Sequence, residues 1–491
     1  MRVARERKGV RIERDPLGSL AVPADAYYGI QTRRAMINFP ISGRRLPPSF
    51  VQAYARIKDA AAAVNMSLGL LDRKRGAAIR RAAGEVLAGR HLDQFVVDVY
   101  QAGAGTSQNM NLNEVLANRA IEILGGRRGD YAVVHPNDHV NLSQSTNDTF
   151  PSAMRLSILL ALPGLLSALG ACEAELRALG RRFRDTVKSA RTHLQDAVPT
   201  TLGREFDAYA TMVRRAARRI EAASAPLARL NLGGTAAGTG LNAHPRYASL
   251  VARALSRQTG LRLLPAEDPA EAAMSTADFA AFSATLRCAS IDLGKIASDL
   301  RLLASGPVTG LAEIRLPAVQ PGSSMMPGKV NPVMCEMLNM VCFQVIGCDE
   351  TVAWAAAAGQ LELNVMLPVM AHNLLESMAL LQGAVAAFSG RGLRGIRADA
   401  ARCRLYFERN PTLATALAPI LGYAKAAEMA KESIRTGRTI AALAIESGLM
   451  TREEIRRTLD PGRLTRPGIL KPGRLRRRGR GPSGSGRSRR D

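Results

Sequence analysis

Between residues 150 and 390 apolar side chains recur at helical spacing, in long runs at 154–182, 204–229, 270–304 and 332–388. At about 1.5 Å of rise per residue, such runs make rods of roughly 40 Å or more. Rods of that length bury an apolar stripe only by packing on one another, so they predict a bundle. Aromatics are 4% of the chain while alanine, leucine and arginine abound, which disfavours sheets. A mostly α protein follows. With 491 residues, two or three domains are expected. The predicted division is a first α domain with short β segments at 1–145, a central helical bundle at 146–390, a small helical domain at 391–468, and a basic disordered tail at 469–491. The apolar content of the rods is too large for one subunit to bury, and alanine-rich stretches such as 353–358 allow close helix approach. Both features predict oligomers.

The formal charge of +25 narrows the function classes. Eleven Lys or Arg against one acidic residue lie between Arg463 and Asp491, which leaves about +15 on the rest. That excess suits steering of an anionic substrate. No zinc-finger spacing, aromatic RNA-binding motif or basic zipper accompanies it, so nucleic acid is not expected as the main partner. The six cysteines contain no Cys-x-x-Cys pair and read as core residues in a reducing compartment, with neither a metal site nor a disulfide framework. The N-terminus is charged and lacks an apolar signal region, so the expected location is cytoplasmic. Residues 156–171, interrupted by Pro163, fall short of the roughly 20 residues of a membrane span and read as a buried helix.

Five polar clusters punctuate this helical frame. The densest is Gln320-Pro321-Gly322-Ser323-Ser324-Met325-Met326-Pro327-Gly328-Lys329-Val330-Asn331-Pro332, whose prolines and glycines force a turn and whose hydroxyls, ammonium and amide suit a small anion at a helix N-terminus. A second, Gly103 to Glu114, places Thr106 and Ser107 before a helix that runs through Asn118 to Leu124. The third joins His135-Pro136-Asn137-Asp138 to Ser143-Gln144-Ser145-Thr146-Asn147-Asp148, ahead of a helix starting near Pro151. In both, these side chains either cap the helix or hold a carboxylate. The fourth holds Thr192 and His193, and the imidazole can bind a carboxylate or move protons. The fifth, Gly233 to Gly240, lacks a preceding strand and reads as a tight interhelical connection. In the first domain, Ala26 to Thr32 is β-prone, and helices are predicted at 50–69 and 73–88.

Gly322-Ser-Ser-Met-Met-Pro-Gly-Lys-Val-Asn-Pro332 closely resembles the signature of the fumarase/aspartase superfamily, and the resemblance spans about residues 11–468. It implies the three-domain fold of that superfamily, a central long-helix bundle, and a homotetramer whose sites each draw on three subunits. The implied reaction cleaves a C–N or C–O bond and releases fumarate, with no cofactor and no metal ligands among the matching positions. Ser323 matches the catalytic base and His193 its partner in the site. Thr106, Ser145, Thr146, Asn147, Thr192, Ser324, Lys329 and Asn331 match substrate-binding positions, Glu336 matches the glutamate that supports the histidine, and His135 to Asp138 match a secondary anion site. Ala26-Tyr-Tyr-Gly29, Ala104-Gly-Thr-Ser107, Asn364-Val-Met366 and Thr436-Gly-Arg438 look more like aspartases, so the expected reaction is reversible elimination of ammonia from L-aspartate. Class II fumarase on the same scaffold is the alternative, followed by a non-catalytic scaffold or nucleic-acid-binding protein. Asn410-Pro411-Thr412 departs from the family's usual Asn-Ser.

Overall fold

The structure, a computed structural model, describes residues 9–469, so the expectation for the basic tail from residue 470 lies outside the described residues. The chain opens with an antiparallel hairpin, β1 (Val10–Asp15) and β2 (Gly18–Pro23), followed by α1 (Ile30–Asn38), α2 (Pro48–Ser67), α3 (Arg73–Leu87) and α4 (Thr106–Ile123). The long helix α5 (Thr146–Arg182) leads into a second hairpin, β3 (Val187–Thr192) and β4 (Gln195–Thr201). Next come α6 (Leu202–Ser224), α7 (Tyr247–Thr259), α8 (Pro269–Met274), α9 (Ala277–Leu303), α10 (Val333–Ala357) and α11 (Leu367–Ala387). After α12 (Ala400–Arg409), shorter helices include Tyr423–Thr436 and Arg452–Thr458. The mostly α fold expected from the sequence is what forms.

Contacts divide the described chain into two compact units. The first unit comprises residues up to Glu175, Ala210–Arg301 and Ala318–Arg394; the second comprises Leu176–Tyr209, Leu302–Pro317 and the residues from Gly395 onward. In the first, α2 packs on α3 and α7, α4 on α1 and α3, and α10 on α11. Its aromatic knot joins Phe50, Tyr54 and Phe150, with ring centroids 5.1 to 6.2 Å apart. The second has its own core, in which Phe407, Leu413, Leu417, Met429, Ile440 and Ile455 are buried together.

Several expectations need correction. Residues 26–32 are not a strand: Ile30 opens α1, and the N-terminal strands lie earlier, at 10–23. The helix expected after Gly103–Glu114 already begins at Thr106. The one expected near Pro151 begins at Thr146 and continues through Pro163. A helix-interior proline costs about 3 kcal/mol, which the surrounding packing outweighs here. By length and composition α5 could cross a membrane, but half of its most apolar window is buried inside the chain, as in the core helix of a bundle. The run 332–388 splits into α10 and α11, because Gly359 to Met366 turns around the fully buried Asn364. Its amide nitrogen donates to the Ala355 and Ala356 carbonyls at 3.0 and 3.1 Å, and its oxygen accepts from Met366 N–H at 2.9 Å. The run 270–304 likewise breaks between α8 and α9.

Candidate active site

The Ser323 loop of the first unit is held by its own polar groups. Gly322 N–H donates to the Lys329 carbonyl at 2.7 Å, and Asn331 Nδ2 donates to the Gly322 carbonyl at 2.7 Å, so the two ends are clasped together. A side chain on Gly322 would press on the backbone of Asn331 and Lys329, which explains glycine there. Inside the clasp, Ser323 Oγ accepts N–H from Met325 at 3.1 Å and Met326 at 3.0 Å. Two backbone donors aimed at one hydroxyl oxygen favour its anionic form. Ser324, Met325 and Lys329 are exposed, as is Glu336 in the first turn of α10.

The second cluster forms a tight turn in front of α4. Ala104 and Gly105 both have positive φ, and a Cβ on Gly105 would run into the Phe150 ring, so only glycine lets α4 sit this close to the aromatic knot. Ala104 N–H donates to the Val365 carbonyl at 2.9 Å, joining this turn to the Asn364-Val365-Met366 stretch. Thr106, the first residue of α4, is exposed, with its hydroxyl 3.3 Å from the Gly103 carbonyl.

In the third cluster, both readings of the sequence find a place. Ser145 caps α5: its hydroxyl accepts from Asn147 N–H at 3.2 Å, while Asp148 reaches back to Ser145 N–H at 2.9 Å. Asn147 donates its amide to the Ala236 carbonyl at 2.8 Å. Ser145 and Thr146 line a cavity of about 500 Å³, together with Asn109, Asn141, Asp138 and Thr235. The Thr235 hydroxyl is buried without a hydrogen-bond partner among the described residues, an orphan that a polar ligand would satisfy. The Ser323 loop is not part of that cavity's wall.

The sequence reading missed what lies behind the cavity. Lys58 is wholly buried in α2, its ammonium 2.8 Å from Asn109 Oδ1 and 3.0 Å from both Asn141 Oδ1 and Gln144 Oε1. Burial pulls its pKa down to about 7, with the charge of Asp148 acting the other way. Asp148 is equally buried; desolvation pushes its carboxyl up to about 7, against N–H groups of Ser145, Gly233 and Thr235 that favour the carboxylate. Those last two donors, at 3.0 and 3.1 Å, show what the Gly233–Gly240 connection does: it wraps its backbone onto the start of α5. A signal was present in Lys58, which shares the buried face of α2 with Tyr54, Ala61 and Asn65 rather than a solvent face.

Thr192 and His193 lie in the second unit, at the tip of the β3–β4 hairpin. The Thr192–Gln195 pair closes a two-residue turn in which His193 and Leu194 both take positive φ, 55° and 62°. Such turns match the twist of the strands, but a left-handed residue other than glycine costs roughly 1–2 kcal/mol. The strain is held by a clamp. Buried Glu313 pairs with Arg191 at 2.9 Å and with buried Lys188 at 2.6 Å, and Lys188 also reaches Glu205 at 3.0 Å. On the other strand, Asn410 Nδ2 and Thr412 Oγ1 both donate to the Ala197 carbonyl, at 2.7 and 2.9 Å. Pro411 starts a 3₁₀ turn, where its missing N–H costs nothing, so the departure at 410–412 leaves the grip on the hairpin in place.

All six cysteines are free thiols, five of them buried, and among the described residues no three His, Cys, Asp or Glu side chains converge to hold a metal ion. The chain matches the family described as Lyase over residues 18–347 and the one described as Fumarase C C-terminus over residues 413–466. It is 47% identical to a protein named aspartate ammonia-lyase from Bacillus subtilis (strain 168), over 462 residues that cover 94% of this chain and 97% of that one. It is 49% identical to one named fumarate hydratase class II from Halobacterium salinarum, over 461 residues covering 94% and 98%. Among solved structures, one described as fumarate lyase:delta crystallin from Brucella melitensis bound to cobalt has a TM-score of 0.91 at 49% identity, covering 94% of this chain and all of that one. With two differently named lyases at near-equal identity, and with the signature loop folded around Ser323, the chain belongs to the fumarase/aspartase superfamily of lyases.

Proposed function

We propose that this lyase is an aspartate ammonia-lyase, a carbon–nitrogen lyase that eliminates ammonia from L-aspartate to give fumarate. The observation that carries the mechanism is the Ser323 oxygen between the N–H groups of Met325 and Met326. Loss of a proton from Cβ of aspartate is unfavourable at neutral pH unless the charge spreads into the adjacent carboxylate. Ser323 takes that proton, and Lys329 with backbone N–H groups of the loop stabilises the aci-carboxylate that results. Asn331 and Ser324 complete the loop's donor set, and closure of the loop excludes water. The electron pair left on Cβ then forms the double bond as the Cα–N bond breaks and ammonia leaves. Thr106, Ser145, Thr146 and Asn147 hold one end of the substrate. Thr192 and His193 bind the other, with Glu336 orienting the imidazole. These groups come from different chains of a homotetramer, each site being composite.

Support for the amine over water as leaving group comes from the stretches that look more like aspartases, Ala26-Tyr-Tyr-Gly29, Ala104-Gly-Thr-Ser107, Asn364-Val-Met366 and Thr436-Gly-Arg438, and from the similarity to the Bacillus subtilis protein. The class II fumarase reading is favoured by the similarity to the Halobacterium salinarum protein. One assay separates them: formation of fumarate, followed by its ultraviolet absorbance, with L-aspartate and separately with L-malate. Faster turnover of aspartate is expected, and faster turnover of malate would overturn the assignment.

A further inference from the structure

Lys58 faces three side-chain amides, and an ammonium carries three N–H donors and no acceptor. Asn109, Asn141 and Gln144 are therefore forced to turn their oxygens toward it. This fixes the other end of Asn109 as a donor: Nδ2 lies 3.0 Å from Thr146 Oγ1 and 3.2 Å from Asn141 Oδ1. A threonine oxygen that accepts there keeps its own hydrogen for another partner. Among the described residues the Thr146 hydroxyl donates to none, and Thr146 lines the cavity. We propose that Lys58 sets the polarity of this wall: acting through Asn109, it is a positioning residue that fixes the Thr146 hydroxyl as a donor to a carboxylate oxygen in the cavity. The inference deepens the dicarboxylate reading given above and rests on it.

The charge state of Lys58 is consistent with this arrangement. Burial pulls the ammonium down to about 7, yet a neutral amine has only two N–H groups for three oxygens, so the contacts themselves favour the cation. Asp148, fixed by three backbone N–H groups, supplies the opposing charge nearby. A merely structural lysine would tie α2 to α4 and the 141–144 turn, and its removal would cost stability without bearing on any ligand.

Lys58→Met is the direct test, but emptying a buried charged site can unfold the chain. Asn109→Asp is the sharper variant. It keeps the size and the partner for the ammonium while replacing the N–H by an oxygen, so the Thr146 hydroxyl must turn inward to donate. Fumarate is the probe, because it is common to the ammonia-lyase and hydratase readings, with binding followed by calorimetry and folding by thermal melting. Asn109→Asp is expected to weaken fumarate binding by about tenfold or more, the scale of one hydrogen bond to a charged group, with little change in Tm. In a Thr146→Val background the same substitution should have almost no further effect. Equal weakening in both backgrounds would mean a general charge effect, and no weakening would mean that Asn109 does not govern the wall; either overturns the relay. Wild-type protein that fails to bind fumarate would instead remove the dicarboxylate reading, and the relay with it.

Discussion

Ser323 is a side chain whose removal leaves its surroundings almost intact, since its hydroxyl is tied to two N–H groups of its own loop and the clasp between Gly322, Lys329 and Asn331 does not depend on it. Ser323→Ala is therefore expected to lower kcat by about 10²–10⁴-fold, the range for loss of a general base, while KM changes little. Steady-state kinetics with aspartate checks this, and retention of more than about a tenth of the rate would remove Ser323 as the base. The loop was legible as a turn from its prolines and glycines, but such crowding on its own also fits an ordinary surface loop, and it was the match to the superfamily signature that singled it out as a candidate site. Lys58 was not, because Arg56 and Asp59 flank it in sequence and make it look like part of a solvated face. What separates it from them is its helical spacing with Tyr54, Ala61 and Asn65, a face that α2 buries and that the reading of this helix did not follow. Ser145 shows the opposite difficulty: capping and binding use the same residue types at a helix start, and a hydroxyl that accepts from Asn147 still has a hydrogen to give.

Helices were read with nearly correct limits in α2 and α3, where a 3.6-residue period extends over several turns. The β3–β4 hairpin was not read, because Lys188, Ser189, Arg191 and Thr192 give no apolar alternation and the turn holds no glycine. Its stability comes from side chains far away in sequence, chiefly Glu313, which no local pattern reveals. Removing one partner of a buried charge cluster leaves the others uncompensated, so Glu313→Ala is expected to cost on the order of 3–5 kcal/mol. Urea unfolding measures this, and a midpoint unchanged from wild type would show that Lys188 and Arg191 need no counter-charge. Because Arg191 adjoins Thr192, the same variant is expected to raise KM if it folds.

At the scale of the molecule, the composition predicted more apolar surface than one chain buries, and the first unit carries it on identifiable faces. Along α10, Met340, Phe343 and Trp354 are 59, 67 and 71% exposed and follow one side of the helix over four turns, with Gly347 between them. Ile291 on α9, 55% exposed, adds to the apolar surface of the same unit. Large apolar side chains clustered this way mark an association surface, and burying each would contribute about 1.5–3 kcal/mol. Glu336 lies on the exposed side of the same helix, one turn before Met340, so a partner docked along α10 also approaches the start of the helix that follows the Ser323 loop. Introducing charge in the middle of such a surface opposes association without disturbing the buried side, where Cys342, Val345 and Val352 pack. The double variant Phe343→Glu and Trp354→Glu is therefore expected to stay helical by circular dichroism, to run as smaller species than the proposed tetramer by light scattering after size exclusion, and to lose activity in step with that dissociation. If the variant stays assembled as the wild type is, the α10 face is not the interface; if the wild-type chain runs as an active monomer at micromolar concentration, each site is also complete within one chain.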